Sequence, residues 1–288
     1  MKIFDDSITA IIKKRKSVRT YDNKSISEKD LELIQGYINN EANITSPLGR
    51  KVKFSIMPVN NNKTEKGQKI GTYGFIKNPQ GYIVGVIENN EEALVEFGYV
   101  FEKLILFLTQ IGIGTCWLGG TFNRNTFIEE VLLEEKEIIP CITPIGYEKD
   151  KKRILDKTFR SIIKADNRKP WEELFFYDTF HTPLSQNAFE EMAMPLEMVR
   201  LSPSASNKQP YRVLISNDKK TFHFYLEKTP NYAGNKMGFD MQRIDMGIGM
   251  SHFELTCQEM KIEGRWVKKD PDVSLPNEHY RYVMSWVK

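Results

Sequence analysis

The sequence predicts an α+β fold in which mixed sheets are flanked by helices and the chain consists of two fused halves. The first supporting observation is a pair of long helices, predicted at residues 92–114 and 244–264 because both segments are apolar around most of their circumference. The two segments align at a shift of 149 residues. The residues aligned at this shift are Gly98 with Gly247, Ile113 with Ile262, and Trp117 with Trp266.

The second observation is the order of segments. In both halves a helix precedes a Ser-Pro pair, at 46–47 and again at 202–203, and a strand, the long helix, a tryptophan and a further strand follow. Such an ordered set indicates a diverged internal duplication. We therefore interpret residues 1–170 as half one and residues 171–288 as half two, and we expect the halves to form an intramolecular pseudo-dimer.

The elements of half one follow from periodicity and capping signals. A first helix is predicted at 5–14, and Ser27 with Asp30 forms the start of a second helix. The apolar runs at 51–59 and 81–88 predict strands. The elements predicted after them are the long helix at 92–114, a short helix at 125–133 and a buried strand at 139–147.

Half two follows a polar, basic connection at 148–170. A helix is predicted at 188–202, and Pro195 inside it should kink or break it. The later predicted elements are strands at 211–216 and 221–227, the long helix at 244–264 and a closing strand at 279–288.

Composition limits the possible functions. The 288 residues carry a formal net charge of +3, which is too small to favour a nucleic-acid binder, and 40% of them are hydrophobic. The chain starts without a signal-peptide pattern and has no apolar run long enough to span a membrane. We expect a cytoplasmic protein without a membrane or nucleic-acid partner. The odd number of cysteines without CxxC spacing argues against a disulfide framework and a metal site; they are Cys116, Cys141 and Cys257.

Four segments carry a more specific signal. The segment RKSVRTY at 15–21 places two arginines and a serine together, and GIGTCWLGG at 112–120 ends the first long helix. The segment SPSASNKQPYR at 202–212 combines turn residues with an amide and a strand start, and NRKPWEELFF begins at Asn167. These four segments resemble the motifs of FMN-dependent nitroreductases, so the resemblance touches most of the chain.

The resemblance implies that FMN lies in the interface between two subunits, here between the two halves. One half would contribute the arginine motif, the segment after the long helix and a late basic residue, and the other half would contribute the Pro-Ser loop. The cofactor-binding residues implied for half one are Arg15, Lys16, Ser17, Arg19, Leu118, Gly119, Gly120 and Arg168, with Lys169 as an alternative to Arg168. Those implied for half two are Pro203, Ser204, Ala205, Ser206 and Asn207.

The chemistry of these residues suits this assignment. Guanidinium groups match phosphate oxygens in a bidentate manner, and glycine backbone can approach a flat ring closely. By analogy with the family, Arg19 is the candidate for stabilising negative charge at N1 and O2 of the reduced flavin. No side chain needs to act as a nucleophile, because the flavin carries the chemistry.

The implied activity is an FMN-dependent oxidoreductase of nitroreductase type. Hydride would pass from NAD(P)H through flavin N5 to a small electron-accepting substrate, such as a nitroaromatic or quinone-like compound. Two alternatives stay open: a catalytically silent flavin- or ligand-binding protein, and an enzyme of the same fold with other flavin chemistry such as reductive dehalogenation. A lid at 60–75 would favour the second alternative.

The two halves differ in their site residues. Half two has no arginine in DTFHTPLSQNAFE at its start, and the half-one loop SPLGRKVKF lacks the serine after the proline and the asparagine of its counterpart. The glycine pair after the first long helix is replaced by EGRWVKKDP after the second. We therefore expect one FMN per chain and a monomer that acts as a fused dimer.

Overall fold

A computed structural model describes residues 3–59, 76–128, 131–149, 167–232 and 237–288. It confirms the α+β fold with two sheets flanked by helices, and the two halves resemble a fused pseudo-dimer. The segment at 60–75, for which a lid was suggested, lies outside the described residues.

Half one begins with a short helix that Ser7 caps, and Ser27 caps the second helix as predicted from its pairing with Asp30. Its elements are α1 (Ile8–Lys14), α2 (Glu28–Asn39), α3 (Glu41–Ile44), β1 (Lys53–Pro58), β2 (Gly81–Glu88), α4 (Glu91–Gln110), α5 (Arg124–Ile128), β3 (Glu137–Ile138) and β4 (Ile142–Ile145).

Half two contains a second long helix and a larger sheet. Its elements are α6 (Trp171–Leu174), β5 (Phe175–Tyr177), β6 (Thr179–Pro183), α7 (Glu190–Leu201), β7 (Tyr211–Ile215), β8 (Thr221–Glu227), α8 (Met241–Glu259), β9 (Arg265–Val267) and β10 (Tyr280–Val287). Pro195 lies inside α7 without ending it.

The two sheets share one antiparallel plan. In half one β2 pairs with β1, β3 and β4, and Leu118 forms an isolated bridge with Ile142 on β4. In half two β8 pairs with β7 and β10, and Val267 on β9 pairs with Ser285 on β10. Leu118 and Val267 are aligned by the shift of 149 residues, so the repeat seen in the sequence is also a repeat of strand pairing. The extra strand β5 joins β7 in parallel.

The central helices α4 and α8 cross where both carry glycine. A Cβ added to Gly98 would lie closer than 3.0 Å to the backbone of Ile244, and one added to Gly247 would lie equally close to the backbone of Val95. Val95 and Ile244 are themselves aligned at the shift of 149 residues. Gly98 therefore contacts Ile244, and Gly247 contacts Val95, which is the counterpart of Ile244. Such reciprocal contacts are the pattern of a two-fold interface.

The core is continuous across this crossing. One hydrophobic cluster contains Phe97 and Phe101 of α4 together with Met246 and Phe253 of α8. Both long helices are therefore buried around most of their length, as their composition predicts. Among the described residues, no helix is long and apolar enough to cross a membrane.

Several predicted boundaries were wrong for local reasons. The helix predicted to reach 114 ends at Gln110, because Gly112 adopts φ +81° and closes the helix end. The helix predicted from 244 already begins at Met241, because Asp240 caps it. The sequence analysis also missed the short elements α3, α6, β3, β5, β6 and β9, which are too brief to show a period.

Candidate functional site

The arginine motif lies beside the end of the first long helix. Arg15 follows the last residue of α1, and the chain then runs extended, with Ser17 bridged in parallel to Thr115. The Val18 N–H donates to the Thr115 carbonyl at 2.7 Å. The carbonyl of Arg19 accepts from the Lys77 N–H at 2.9 Å. The motif at 15–21 and the segment that ends in Gly119-Gly120 therefore form one surface of half one.

The glycine pair contacts half two. A Cβ on Gly119 would lie closer than 3.0 Å to the Met241 side chain, and a Cβ on Gly120 would lie 3.3 Å from Sδ of Met237. The Arg124 guanidinium donates to the carbonyl of Gly119. Backbone of half one thus reaches Met237 and Met241, before and at the start of α8 in half two, and a side chain at position 119 would require the Met241 side chain to move.

Leu118 is engaged differently from the two glycines. Its N–H and its carbonyl both pair with Ile142 at 3.0 Å, and its side chain is buried. It anchors the glycine pair to β4. Lys16 is exposed and forms an ion pair with Glu148.

The loop at 203–207 has an unusual backbone. Ser206, Asn207 and Gln209 all have positive φ, between 50° and 53°. Such angles are uncommon outside glycine and need support from surrounding contacts. The Gln209 N–H donates to Oγ of Ser204 at 2.8 Å, and the Ala205 N–H donates to Oδ1 of Asp245 at 2.9 Å. Strained backbone that is supported by hydrogen bonds is often found at ligand-binding sites.

Arg168 joins the end of half one to this loop. Its Nη1 donates to Oδ1 of Asn207 at 3.3 Å, and its Nη2 donates to the carbonyl of Leu201 at 3.2 Å. The amide of Asn207 donates in turn to the carbonyl of Asn167 at 2.9 Å. Lys169 follows Arg168 in the chain, and burial lowers the pKa of the Lys169 ammonium group.

Asp245 lies beneath the loop. Its second oxygen, Oδ2, is buried and has no hydrogen-bond partner among the described residues, and burial raises the pKa of the carboxyl well above its ordinary value. In half one the aligned residue is Glu96, which accepts hydrogen bonds from Ser46 Oγ and, at 3.0 Å, from Nε of Arg50. The same position therefore supports a loop in both halves, but an arginine completes the contact only in half one.

Glu102 connects the arginine motif to both central helices. Its Oε2 accepts from Nε1 of Trp117 at 2.7 Å, and its Oε1 lies 2.9 Å from Nε2 of His252. Nε of Arg15 lies 3.8 Å from the same Oε1. His252 Nδ1 lies 3.0 Å from the Met198 carbonyl on α7, which leads into the loop at 203–207.

Sequence reasoning missed four residues of this region: Arg124, Asp245, Glu102 and His252. A signal for Glu102 and His252 was present, since each is a titratable residue within an apolar helix, and such residues are buried only with a partner. The partners themselves lie 150 residues apart and follow only from the helix crossing.

Together the predicted segments surround one part of the interface between the halves. The described residues include the guanidinium groups of Arg15 and Arg168, the backbone of Gly119 and Gly120, and the loop that carries Asn207. These groups suit a planar ligand with an anionic group. The fold is that of a two-half α+β protein in which residues of both halves border the candidate site.

Comparison with known proteins assigns the family. Residues 7–257 match the family model described as "Putative TM nitroreductase", so the chain belongs to this nitroreductase family. A crystal structure from Thermotoga maritima MSB8, described as a "putative nitroreductase", is similar at 20% identity with a TM-score of 0.60, covering 99% of this chain and 94% of that chain. This likeness supports the fold over the whole length.

Shorter matches cover about half of the chain. A nitroreductase family protein from Clostridium novyi NT is 23% identical with a TM-score of 0.40, covering 51% of this chain and 89% of that one. A nitroreductase with bound FMN from Bacteroides fragilis NCTC 9343 is 19% identical with a TM-score of 0.39, covering 52% and 92%. No curated protein sequence matches the chain.

Proposed function

We propose that this protein is an FMN-dependent oxidoreductase of nitroreductase type. It takes hydride from NAD(P)H and passes it to a small electron acceptor such as a nitroaromatic or quinone-like compound. The observation that carries the proposal is the position of the motif segments at the interface between the halves, with Gly119 of half one against Met241 of half two. Family membership supports the same reading.

The residues present fit FMN. Gly119 and Gly120 present backbone without a side chain, and the atoms nearest to them belong to the flexible side chains of Met241 and Met237, so a flat ring could approach this backbone once those side chains move. Arg15 and Arg168 are the cations suited to the phosphate, and the 203–207 loop would close over the ring and ribityl chain. Bound FMN would supply the hydride-accepting ring, and Arg19 remains the candidate for holding negative charge at its N1–O2 edge.

The counterpart site of half one is built differently. Arg50, near the place that corresponds to the Pro-Ser loop, donates to Glu88 at 2.6 Å and to Glu96 at 3.0 Å. Lys268, aligned with Gly119, forms an ion pair with Glu92 at 3.0 Å. A cavity lined by Leu48, Glu96 and Lys268 lies at this place, but its charged side chains already form ion pairs. They offer no free cation for a phosphate among the described residues, so we propose one FMN per chain.

Flavin titration and turnover test the proposal together. We expect the purified protein to bind one FMN per chain, to bind riboflavin more weakly because it lacks the phosphate, and to oxidise NADH or NADPH when an acceptor is present. Two flavins per chain would contradict the single site. Binding without NAD(P)H oxidation would indicate a silent flavin-binding protein, and absence of binding at micromolar FMN would refute the proposal.

A pair of loop variants locates the site. Asn207→Ala should weaken FMN binding by roughly 1 kcal/mol or more, because a polar contact to the ligand and the bond to Arg168 are lost. Leu48→Ala is the matched control: Leu48 lies on the corresponding half-one loop and is 44% exposed, so FMN affinity should stay nearly unchanged. Fluorescence titration measures both. Equal losses would mean that the loops act through folding or that both sites bind.

A further inference from the structure

Glu102 and His252 form a buried pair across the interface between the halves. Both side chains are fully buried, one on α4 and the other on α8, and Oε1 lies 2.9 Å from Nε2. Their burial means that water cannot supply or remove hydrogen bonds, so every contact must be satisfied within the protein.

The hydrogen bonds fix the number of protons on this pair. Nδ1 of His252 faces the Met198 carbonyl at 3.0 Å, and a carbonyl only accepts, so Nδ1 carries a hydrogen. Nε2 then faces a carboxyl oxygen, and two bare acceptors do not approach to 2.9 Å. A second proton therefore lies between Nε2 and Oε1. Whichever atom holds it, the pair has no net charge.

This neutrality matters for Arg15. Its Nε lies 3.8 Å from Oε1 of Glu102, and its side chain is only 10% exposed. A carboxylate at that distance, without His252, would cancel the guanidinium charge. With His252 and the donating Trp117 Nε1 in place, Glu102 lies beside Arg15, and no described residue offers a net negative charge that compensates the guanidinium.

We propose that His252 is a positioning residue that balances the charge of Glu102 and so reserves the charge of Arg15 for the anionic ligand of the site. The inference rests on the proposed function, because it takes FMN as that ligand. It also gives the interface a role in binding: Glu102 comes from half one and His252 from half two, so the balance exists only when the halves are docked.

A double-mutant cycle on FMN affinity tests the charge balance. His252→Gln leaves Glu102 ionised beside Arg15, and FMN affinity should fall roughly tenfold, about 1.4 kcal/mol. In the double variant Glu102→Gln/His252→Gln only the charge of Arg15 remains, so affinity should return to within about threefold of the wild type. A double variant that binds as weakly as His252→Gln, or more weakly, would overturn the proposal, since a packing role predicts accumulating losses.

Glu254→Gln serves as the matched control. Glu254 lies on α8 and accepts from Trp266 Nε1 at 2.9 Å, which copies the Trp117–Glu102 contact on the other side of the interface. Its replacement should leave FMN affinity unchanged. An equal loss there would show that any Trp–Glu bond of the central helices affects binding, and would refute a specific role for His252.

Nitrogen-15 NMR of the apoprotein gives a readout that needs neither FMN nor folded variants. We expect the ring of His252, assigned among the four histidines, to carry a proton on Nδ1 and to share a hydrogen-bonded proton with Glu102 at Nε2. A ring protonated on Nε2 alone would overturn the proposal. If the wild type bound no FMN, the proposed function would fail and this inference with it. If the wild type bound FMN normally but the double variant did not recover affinity, the inference alone would fail.

Discussion

The crossing of α4 and α8 predicts opposite effects for two glycine substitutions. In Gly98→Ala the new Cβ would lie 2.9 Å from the carbonyl carbon of Ile244 and nearer still to its oxygen. A carbon normally stays about 3.3 Å or more from a carbonyl oxygen, so the helices must separate by roughly 1 Å. In Gly249→Ala, on α8, the nearest atom is Cγ1 of Val199 at 3.5 Å, an ordinary contact.

The magnitudes follow from packing and propensity. Forcing a methyl group into a filled interface typically costs about 1–3 kcal/mol, and here the opposing atoms are backbone that cannot rotate away. Replacing glycine by alanine inside a helix gains roughly 0.5–1 kcal/mol. Gly98→Ala should therefore be destabilising by about 1–2 kcal/mol or more, whereas Gly249→Ala should be neutral or stabilising.

Thermal unfolding of the apoprotein separates the two variants. At roughly 2 °C per kcal/mol for a chain of this size, Gly98→Ala should lower Tm by several degrees and Gly249→Ala should not lower it. Gly247→Ala should resemble Gly98→Ala, since its contacts with Val95 and Tyr99 repeat the same geometry. Equal melting temperatures for Gly98→Ala and Gly249→Ala would refute the close helix crossing.

Two further predictions concern titratable groups. The Tyr147 hydroxyl, and to a lesser extent that of Ser27, lowers the pKa of Asp30 below its ordinary 3.8. A lowered pKa in the folded state stabilises the folded protein above about pH 3.8, and this stabilisation is lost as the pH falls through the folded-state value. Tyr147→Phe should therefore lower the free energy of unfolding by roughly 1 kcal/mol at pH 7 and by less at pH 3, as measured by urea unfolding. Burial raises the pKa of Cys141 and Cys257, and all three cysteines are buried. A disulfide-exchange reagent at neutral pH should therefore label none of the three thiols before the protein unfolds. Rapid labelling of the native protein would contradict this burial.

Much of the fold could be predicted because its signals are local. Asn90 and the apolar run after it define α4, and the aligned glycines Gly98 and Gly247 indicate the repeat before any contact is known. Brief strands such as β9 carry no such signal. Trp266 is in a strand because β10 pairs with its neighbours, and this pairing depends on residues far away in sequence.

The candidate site could likewise be predicted only in part from the sequence. The motifs indicated the segments at 15–21 and 203–207, since their residue types match a ligand's chemistry. They could not indicate the positive φ of Ser206 and Asn207, which depends on support from Asp245 forty residues later. The sequence could not indicate His252 as the partner of Glu102 either, because the two side chains meet only where the two halves pack.

The different partners of Glu96 and Asp245 have a consequence for how this protein can change over time. In a homodimer one gene encodes both subunits, so a substitution that fills one site fills its mate as well. A single chain with two halves removes this constraint. Arg50 can neutralise Glu96 and give one loop a purely structural role, while Oδ2 of Asp245 in the other half has no partner in the part of the chain that the structure describes. Each half can therefore specialise without the loss that a symmetric pair would suffer.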